Sequence, residues 1–329
     1  MIYNLFIVKS PLQLINSIEA ISHFKLKNNV VVLLNDGSEL NTKQMEKLLT
    51  WHDWKKIIRV KDNKKSKFFK YIKLIKELKK HQYNYMFFGE FGSIHKAIIP
   101  NVKKEKLFYL DDGFGTYYDY NEIILTKKYN KFSLRQLRFA LFGYKIKIKE
   151  SINLFTYFGD IKSSNRLVVK NSLNYLKTNF LSNIKTTDEV IFLGQPIENL
   201  IDDETYIRFV KAIIKKYKDR NITYMPHRGE TKEQIQKVKS LQNNYFKFRE
   251  NSIPIELYFL EKKFIPNTVL SFCSTAMTTL NIIYDIPNIL SIEIPKDLMS
   301  HKENYELILK TYYSKLNQNQ ILKFEDLSF

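Results

Sequence analysis

Asp111, Asp112 and Gly113 stand directly after the apolar run Phe108, Tyr109 and Leu110, so two carboxylates precede a glycine at a strand end. A carboxylate there can take a proton from a hydroxyl, although Asp-Gly is also an ordinary turn signal. In the second half of the chain, His227 and Arg228 follow Pro226, Ser274 and Thr275 precede a helical run, and Gly194 ends a further apolar run. These groups share one character: cationic or protonatable side chains, hydroxyls at a helix start, and amides that glycine exposes all favour negative charge. Together they describe an anion site. A histidine beside a phosphate can donate a hydrogen bond or a proton to a departing oxygen.

Strand ends must position these residues. Residues 2–8 read as a strand, followed by a helix over 10–23 with Ser10 as N-cap, Pro11 in the first turn and Gln13 close behind. Such a helix start can bind an anion or an acceptor hydroxyl. Further strands are expected over 30–34, 57–60, 85–88, 107–110 and 151–158, with a helix over 41–51. Glu90 is either a second carboxylate in the same crevice or a helix cap. Residues 165–187 read as a polar connector with one short helix, which places domains at 1–187 and 188–329. Strands then recur before Gly194 and over 222–224, 268–272 and 288–292, with helices over 202–218 and 232–241, from 254 and 274, and over 304–316. Alternating strands and helices in both halves predict an α/β protein of two doubly wound, Rossmann-like domains facing across a cleft, with ligand crevices at the carboxyl ends of the strands. Neighbouring strand residues point to opposite faces, so only one of Asp111 and Asp112 is expected to face a ligand.

At 44% hydrophobic and 14% aromatic residues the chain has ample material for packed cores, which excludes a disordered chain. Cys273 is the one cysteine, so an internal disulfide framework and a multi-cysteine metal site are excluded and a reducing compartment is expected. There is no P-loop, no dinucleotide glycine fingerprint, no His-Glu-x-x-His and no Asp-x-Asp. The last absence argues against a divalent ion on a diphosphate. A nucleoside monophosphate leaving group develops less charge, which His227, hydroxyls and a helix dipole could stabilise without metal. The N-terminus has no basic leader and no uncharged apolar run reaches membrane-spanning length, so a cytoplasmic protein is expected. The net charge of +19 implies an anionic partner: nucleic acid, an anionic leaflet or a phosphorylated substrate. With only eight arginines, the surface fits diffuse attraction better than base reading. The segment 61–81 carries nine lysines around Phe68, Phe69, Ile72, Ile75 and Leu78 at helical spacing, as a membrane-surface helix or a solvated helix packed on the sheet would. Residues 121–149 are basic and aromatic with little periodicity, and no chemistry is assigned to them.

Ser10 to Gln13, Asp111 to Gly113, Gly194 to Pro196, Pro226 to Arg228, and Ser274 with Thr275 occur in an order that resembles bacterial sialyltransferases of the glycosyltransferase family 52 type and their polysialyltransferase relatives. The resemblance spans residues 5–290. It implies a GT-B architecture and an inverting, metal-independent transfer of sialic acid, or a related nonulosonic acid, from a CMP-activated donor with no further cofactor. By this resemblance Asp111 would be the general base and His227 would stabilise or protonate the CMP phosphate. Ser274 and Thr275 would bind that phosphate, with Gly194, Gln195, Pro226, Arg228 and Glu256 around the donor. Ser10, Gln13, Asp112 and Gly113 would lie on the acceptor side. The family commonly has His-Pro where Pro226 here precedes His227, and paired serines where Ser274 and Thr275 stand. The acceptor is expected to be a lipid-linked bacterial surface glycan, of capsule or lipooligosaccharide, at the inner face of the cytoplasmic membrane. Two alternatives remain at this point: a GT-B transferase using CMP-Kdo or a nucleoside diphosphate sugar, and a basic nucleic-acid-binding protein.

Overall fold

The computed structural model describes residues 2–35, 37–61, 67–113, 115–182, 184–198, 200–227, 229–250, 253–274, 276–299, 312–314 and 316–327. Two compact units divide it, Met1–Thr178 and Asn179–Phe329.

The first unit alternates β1 (Tyr3–Val8), α1 (Pro11–Phe24), β2 (Asn29–Asn35), α2 (Glu39–Leu49), β3 (Lys56–Lys61), α3 (Lys67–Leu78), β4 (Gln82–Phe88), α4 (Ser93–Ile98) and β5 (Lys103–Leu110). It continues through α5 (Gly115–Tyr118), α6 (Leu134–Leu141), β6 (Asn153–Thr156), β7 (Val168–Lys170) and α7 (Asn174–Phe180). All strands pair in parallel, in the order β3-β2-β1-β4-β5-β6-β7. In β1, Leu5, Phe6, Ile7 and Val8 are all wholly buried, as a central strand covered on both faces requires. Phe6 stacks on Phe87 of β4 at 4.7 Å, which ties the two middle strands together through their side chains.

The second unit runs β8 (Lys185–Leu193), α8 (Asp203–Lys216), β9 (Ile222–Met225), α9 (Lys232–Lys239), β10 (Phe246–Phe248), α10 (Ile255–Lys262), β11 (Phe264–Ser271), α11 (Ala276–Tyr284), β12 (Asn288–Ile292) and β13 (Ile321–Leu322). Its parallel order is β10-β9-β8-β11-β12-β13. Its core gathers Phe192, Phe209, Tyr206, Tyr224 and Phe272 between sheet and helices.

The structure differs from the sequence reading at several edges. The polar stretch read as a connector contains β7, whose Val168 and Val169 pair with Leu154 and Phe155 of β6. Its last residues start β8, where Lys185 and Thr186 pair with Phe264 and Ile265. β7 is only three residues long and lies at the sheet edge, and the start of β8 is polar and largely solvent-facing, so neither carries the apolar run of a buried strand. The final helix expected over 304–316 lies outside the described residues except for 312–314 and 316.

In each unit the strand order reverses beside the first strand, between β1 and β4 and again between β8 and β11. Chains leaving those strands depart in opposite directions and open a crevice at the carboxyl ends. Ser10 follows β1 and Gly89 follows β4, while Gly194 follows β8 and Ser274 lies beyond β11.

Candidate active site

In the first unit, α1 begins at the reversal because Ser10 accepts from the Gln13 amide at 3.2 Å and Pro11 occupies the first turn. Ser10 Oγ also donates to Asp112 Oδ1 at 3.2 Å. Gln13 is buried between the two loops: its Oε1 accepts from the Lys9 amide at 2.8 Å and its Nε2 donates to the Gly89 carbonyl at 3.3 Å. A Cβ on residue 89 would stand 2.3 Å from Gln13 Cδ, so glycine there is what lets Gln13 bridge β1 to β4. Lys9 pairs with Glu90 at 3.3 Å, and Glu90 thus joins the charged set around Asp112.

The Asp111–Gly113 turn closes β5, and Gly113 supplies the positive φ of 72° it requires. The two aspartates separate as strand alternation demands. Asp111 turns inward and is 0% exposed, with Oδ2 accepting from the Tyr157 amide at 2.7 Å and Oδ1 buried without a partner in hydrogen-bond geometry among the described residues. Burial pushes its carboxyl from the usual 3.8 up to about 7, against the downward pull of the Tyr157 amide and the Thr156 and Thr116 hydroxyls. Asp112 is exposed. Its carboxyl is also raised, by the surrounding protein and by the charge of Glu90, with Gln13, Ser10 and Lys9 acting in the opposite direction. The first unit therefore presents an accessible carboxylate beside Ser10, Lys9 and Glu90, next to a buried carboxyl raised to about 7.

In the second unit, Gly194 and the loop after β9 are held by one buried network. Glu230 Oε1 accepts from the His227 amide at 2.5 Å, and Glu230 Oε2 accepts from Tyr224 Oη at 2.7 Å. Tyr206 Oη lies 2.6 Å from Tyr224 Oη and also accepts from the Gln195 amide at 3.4 Å. Desolvation raises the Glu230 carboxyl to about 7 in spite of those donors. A Cβ on residue 194 would fall 2.0 Å from Glu230 Oε1, so glycine is required where β8 ends. His227 itself is exposed. Its Nδ1 accepts from the Gly229 amide at 3.0 Å, which leaves the proton of the neutral ring on Nε2. That tautomer presents a donor to an anion.

The remaining donor-side candidates have different surroundings. Pro226 is half-buried between β9 and His227. Gln195 is buried, with Oε1 accepting from Cys273 Sγ at 3.3 Å. Ser274 is buried immediately beyond Cys273, and its carbonyl accepts from the Met277 amide at 3.2 Å at the start of α11. Glu256 sits in the α10–α11 interface, where Oε1 accepts from Thr279 Oγ1 at 2.8 Å and burial raises its carboxyl. Arg228 and Thr275 lie outside the described residues. The structure thus brings Gly194, Gln195 and the His227 loop together through Glu230, a residue the sequence reading passed over. Its signal was faint: a lone glutamate at the end of a polar loop, beside a glycine distant in sequence. Among the described residues no group of three or more His, Cys, Asp or Glu side chains is placed to hold a metal ion.

A family model described as Alpha-2,8-polysialyltransferase (POLYST) matches residues 4–293. A search of curated proteins returned no match. Among solved structures, the 2,6-sialyltransferase of Photobacterium sp. JT-ISH-224, in a ternary complex with the donor product CMP and the acceptor substrate lactose, is 11% identical with a TM-score of 0.51; the alignment covers 98% of this chain and 78% of that one. The UDP-GlcNAc 2-epimerase of Methanocaldococcus jannaschii is 16% identical with a TM-score of 0.50, over 89% of this chain and 83% of that one. At such identities the likeness is one of fold, and it agrees with two parallel-sheet α/β domains.

Proposed function

The chain belongs to the alpha-2,8-polysialyltransferase family, and on that premise we propose that it transfers sialic acid, or a related nonulosonic acid, from a CMP-activated donor to a hydroxyl of a bacterial surface glycan. The observation that carries this reading is the exposed His227, whose backbone is clamped by Glu230 and whose Nε2 proton is set by the Gly229 amide, at the carboxyl ends of the central strands. A preset donor there suits a phosphate oxygen that gains charge as the glycosidic bond breaks. The acceptor oxygen forms its bond to the anomeric carbon from the face opposite CMP, so the configuration inverts. The acceptor proton passes to a carboxylate, and His227 donates to the departing phosphate, with no metal in the scheme. Ser274, Thr275 and Arg228 complete the donor side; Ser10, Gln13 and Gly113 shape the acceptor side.

We assign the base to Asp111, whose carboxyl at about 7 matches the affinity that a base working near neutral pH needs. A second reading gives that role to Asp112, and it is favoured by one observation: Asp112 is exposed whereas Asp111 is not. Asp111→Asn and Asp112→Asn, compared for transfer and for CMP binding, separate the two, since the base variant loses turnover while retaining donor affinity. The donor assignment is tested by calorimetry with CMP, UDP and GDP in EDTA. Selective CMP binding that His227→Ala weakens supports it; binding of UDP or GDP in preference to CMP refutes it. The acceptor in this reading is lipid-linked and met at the inner face of the cytoplasmic membrane.

A further inference from the structure

The first unit carries an apolar surface that neither the donor nor the acceptor chemistry uses. Phe69 on α3 is 66% exposed, and Phe132, Leu134, Leu141 and Phe142, in and around α6, are 69%, 75%, 77% and 54% exposed. These are large apolar side chains left in water, where burial would be favourable. Aromatic contacts join α3 to α6: Phe68 packs on Phe139 and Phe142 with ring centroids 5.1 and 5.2 Å apart, and Phe69 meets Phe142 at 6.3 Å, while Leu134 and Leu141 stand two turns apart on one side of α6. The Arg138 guanidinium caps the Phe68 ring at 5.1 Å. Exposed apolar patches of this kind are rare on soluble proteins without an interaction to serve.

The charge around it selects the partner. Lys67, Lys70, Lys73 and Lys76 lie along α3, and Lys131, Arg135, Arg138, Lys145, Lys147 and Lys149 run before, through and after α6, with no Asp or Glu in residues 67–76 or 131–149. The carboxylates that follow those two stretches, Glu77 and Glu150, are paired with Lys56 and Lys104. A second copy of this face would repel the first. A sheet of anionic headgroups over hydrocarbon would meet both components, cations in the headgroup layer and Leu134, Leu141 and Phe142 below it. Among the described residues no helix is long and apolar enough to cross a membrane, so the contact is one of surface insertion.

We infer that the α3–α6 face docks the protein on an anionic lipid bilayer. This deepens the membrane placement given above and is independent of the donor and base assignments. The test is sedimentation of the full chain with phosphatidylglycerol–phosphatidylcholine vesicles against phosphatidylcholine alone. Binding is expected only to the anionic vesicles, to fall with salt, and to weaken by about tenfold or more in Arg135→Gln/Arg138→Gln and in Leu134→Ser/Leu141→Ser. Leu141→Trp should shift its fluorescence to the blue on those vesicles, reporting entry of that position. Thermal unfolding and transfer to a short soluble acceptor check that the variants are folded, and neither should change. Loss of transfer in the parent chain with vesicle binding intact would refute the enzymatic reading and leave this one standing. Vesicle binding that both double variants retain, a dimer that Leu134→Ser/Leu141→Ser dissolves without affecting vesicle binding, or salt-sensitive binding to polyuridine with none to vesicles would each overturn the inference.

Discussion

Asp111→Asn is the substitution in which stability and activity should move in opposite directions. The carboxyl titrates at about 7 when folded against 3.8 in its ordinary state. A group raised in this way binds its proton more tightly in the folded than in the unfolded chain. Its burden on folding is absent below the unfolded value, grows as pH rises between the two, and is constant above the folded value. A gap of about 3 units corresponds to about 4 kcal/mol as an upper bound. The asparagine keeps an acceptor for the Tyr157 amide and places an uncharged amide where Oδ1 is buried without a partner among the described residues. Allowing for imperfect pairing of that amide, the variant should be more stable than the parent by about 2–4 kcal/mol at pH 8, with the advantage shrinking toward pH 4. Urea unfolding of parent and variant at pH 4.5, 6 and 8 reads this directly. Transfer from a CMP donor should fall about 10²–10⁴-fold at pH 8. A variant less stable than the parent by the same amount at all three pH values would refute the buried-charge argument, and unchanged turnover would refute the base assignment.

Other substitutions probe the remaining parts of the site. Glu230→Gln should raise the dissociation constant of CMP by about tenfold, because it cannot accept from both the His227 amide and Tyr224 in the present geometry; calorimetry at pH 8 measures it, and unchanged affinity would show that the clamp is dispensable. Gly194→Ala forces a Cβ against the Glu230 carboxylate and should destabilise the second unit by about 1–3 kcal/mol while weakening CMP binding, an outcome checked by urea unfolding. Ser10→Ala removes the cap of α1 and the hydrogen bond to Asp112. It should cost about 1 kcal/mol of stability and raise the KM for acceptor more than that for donor, so an equal rise in both would count against an acceptor-side role.

Much of the architecture is decided locally and was legible in the chain. Apolar runs ending in Ser10, Gly89, Asp111 and Gly194 mark strands whose carboxyl ends carry polar groups, and the Ser10-Pro11 start of α1 follows from a side chain that bonds a nearby amide. The order of the short motifs was enough to identify the family. What the chain alone could not decide depends on pairing between distant segments. Alternation along a strand says that Asp111 and Asp112 face opposite ways; which one is buried is set by β6, whose following residue Tyr157 offers its amide across the sheet edge. Glu230 matters because β8 and β9 are neighbours, a contact that brings it under Gly194. Leu134, Leu137 and Leu141 recur at helical spacing, and only the packed structure shows that this side of α6 is left in water rather than buried. Local hydrogen bonding and hydrophobic runs are written in consecutive residues, whereas burial, proton affinity and surface continuity arise only when parallel strands from separate stretches come to lie side by side.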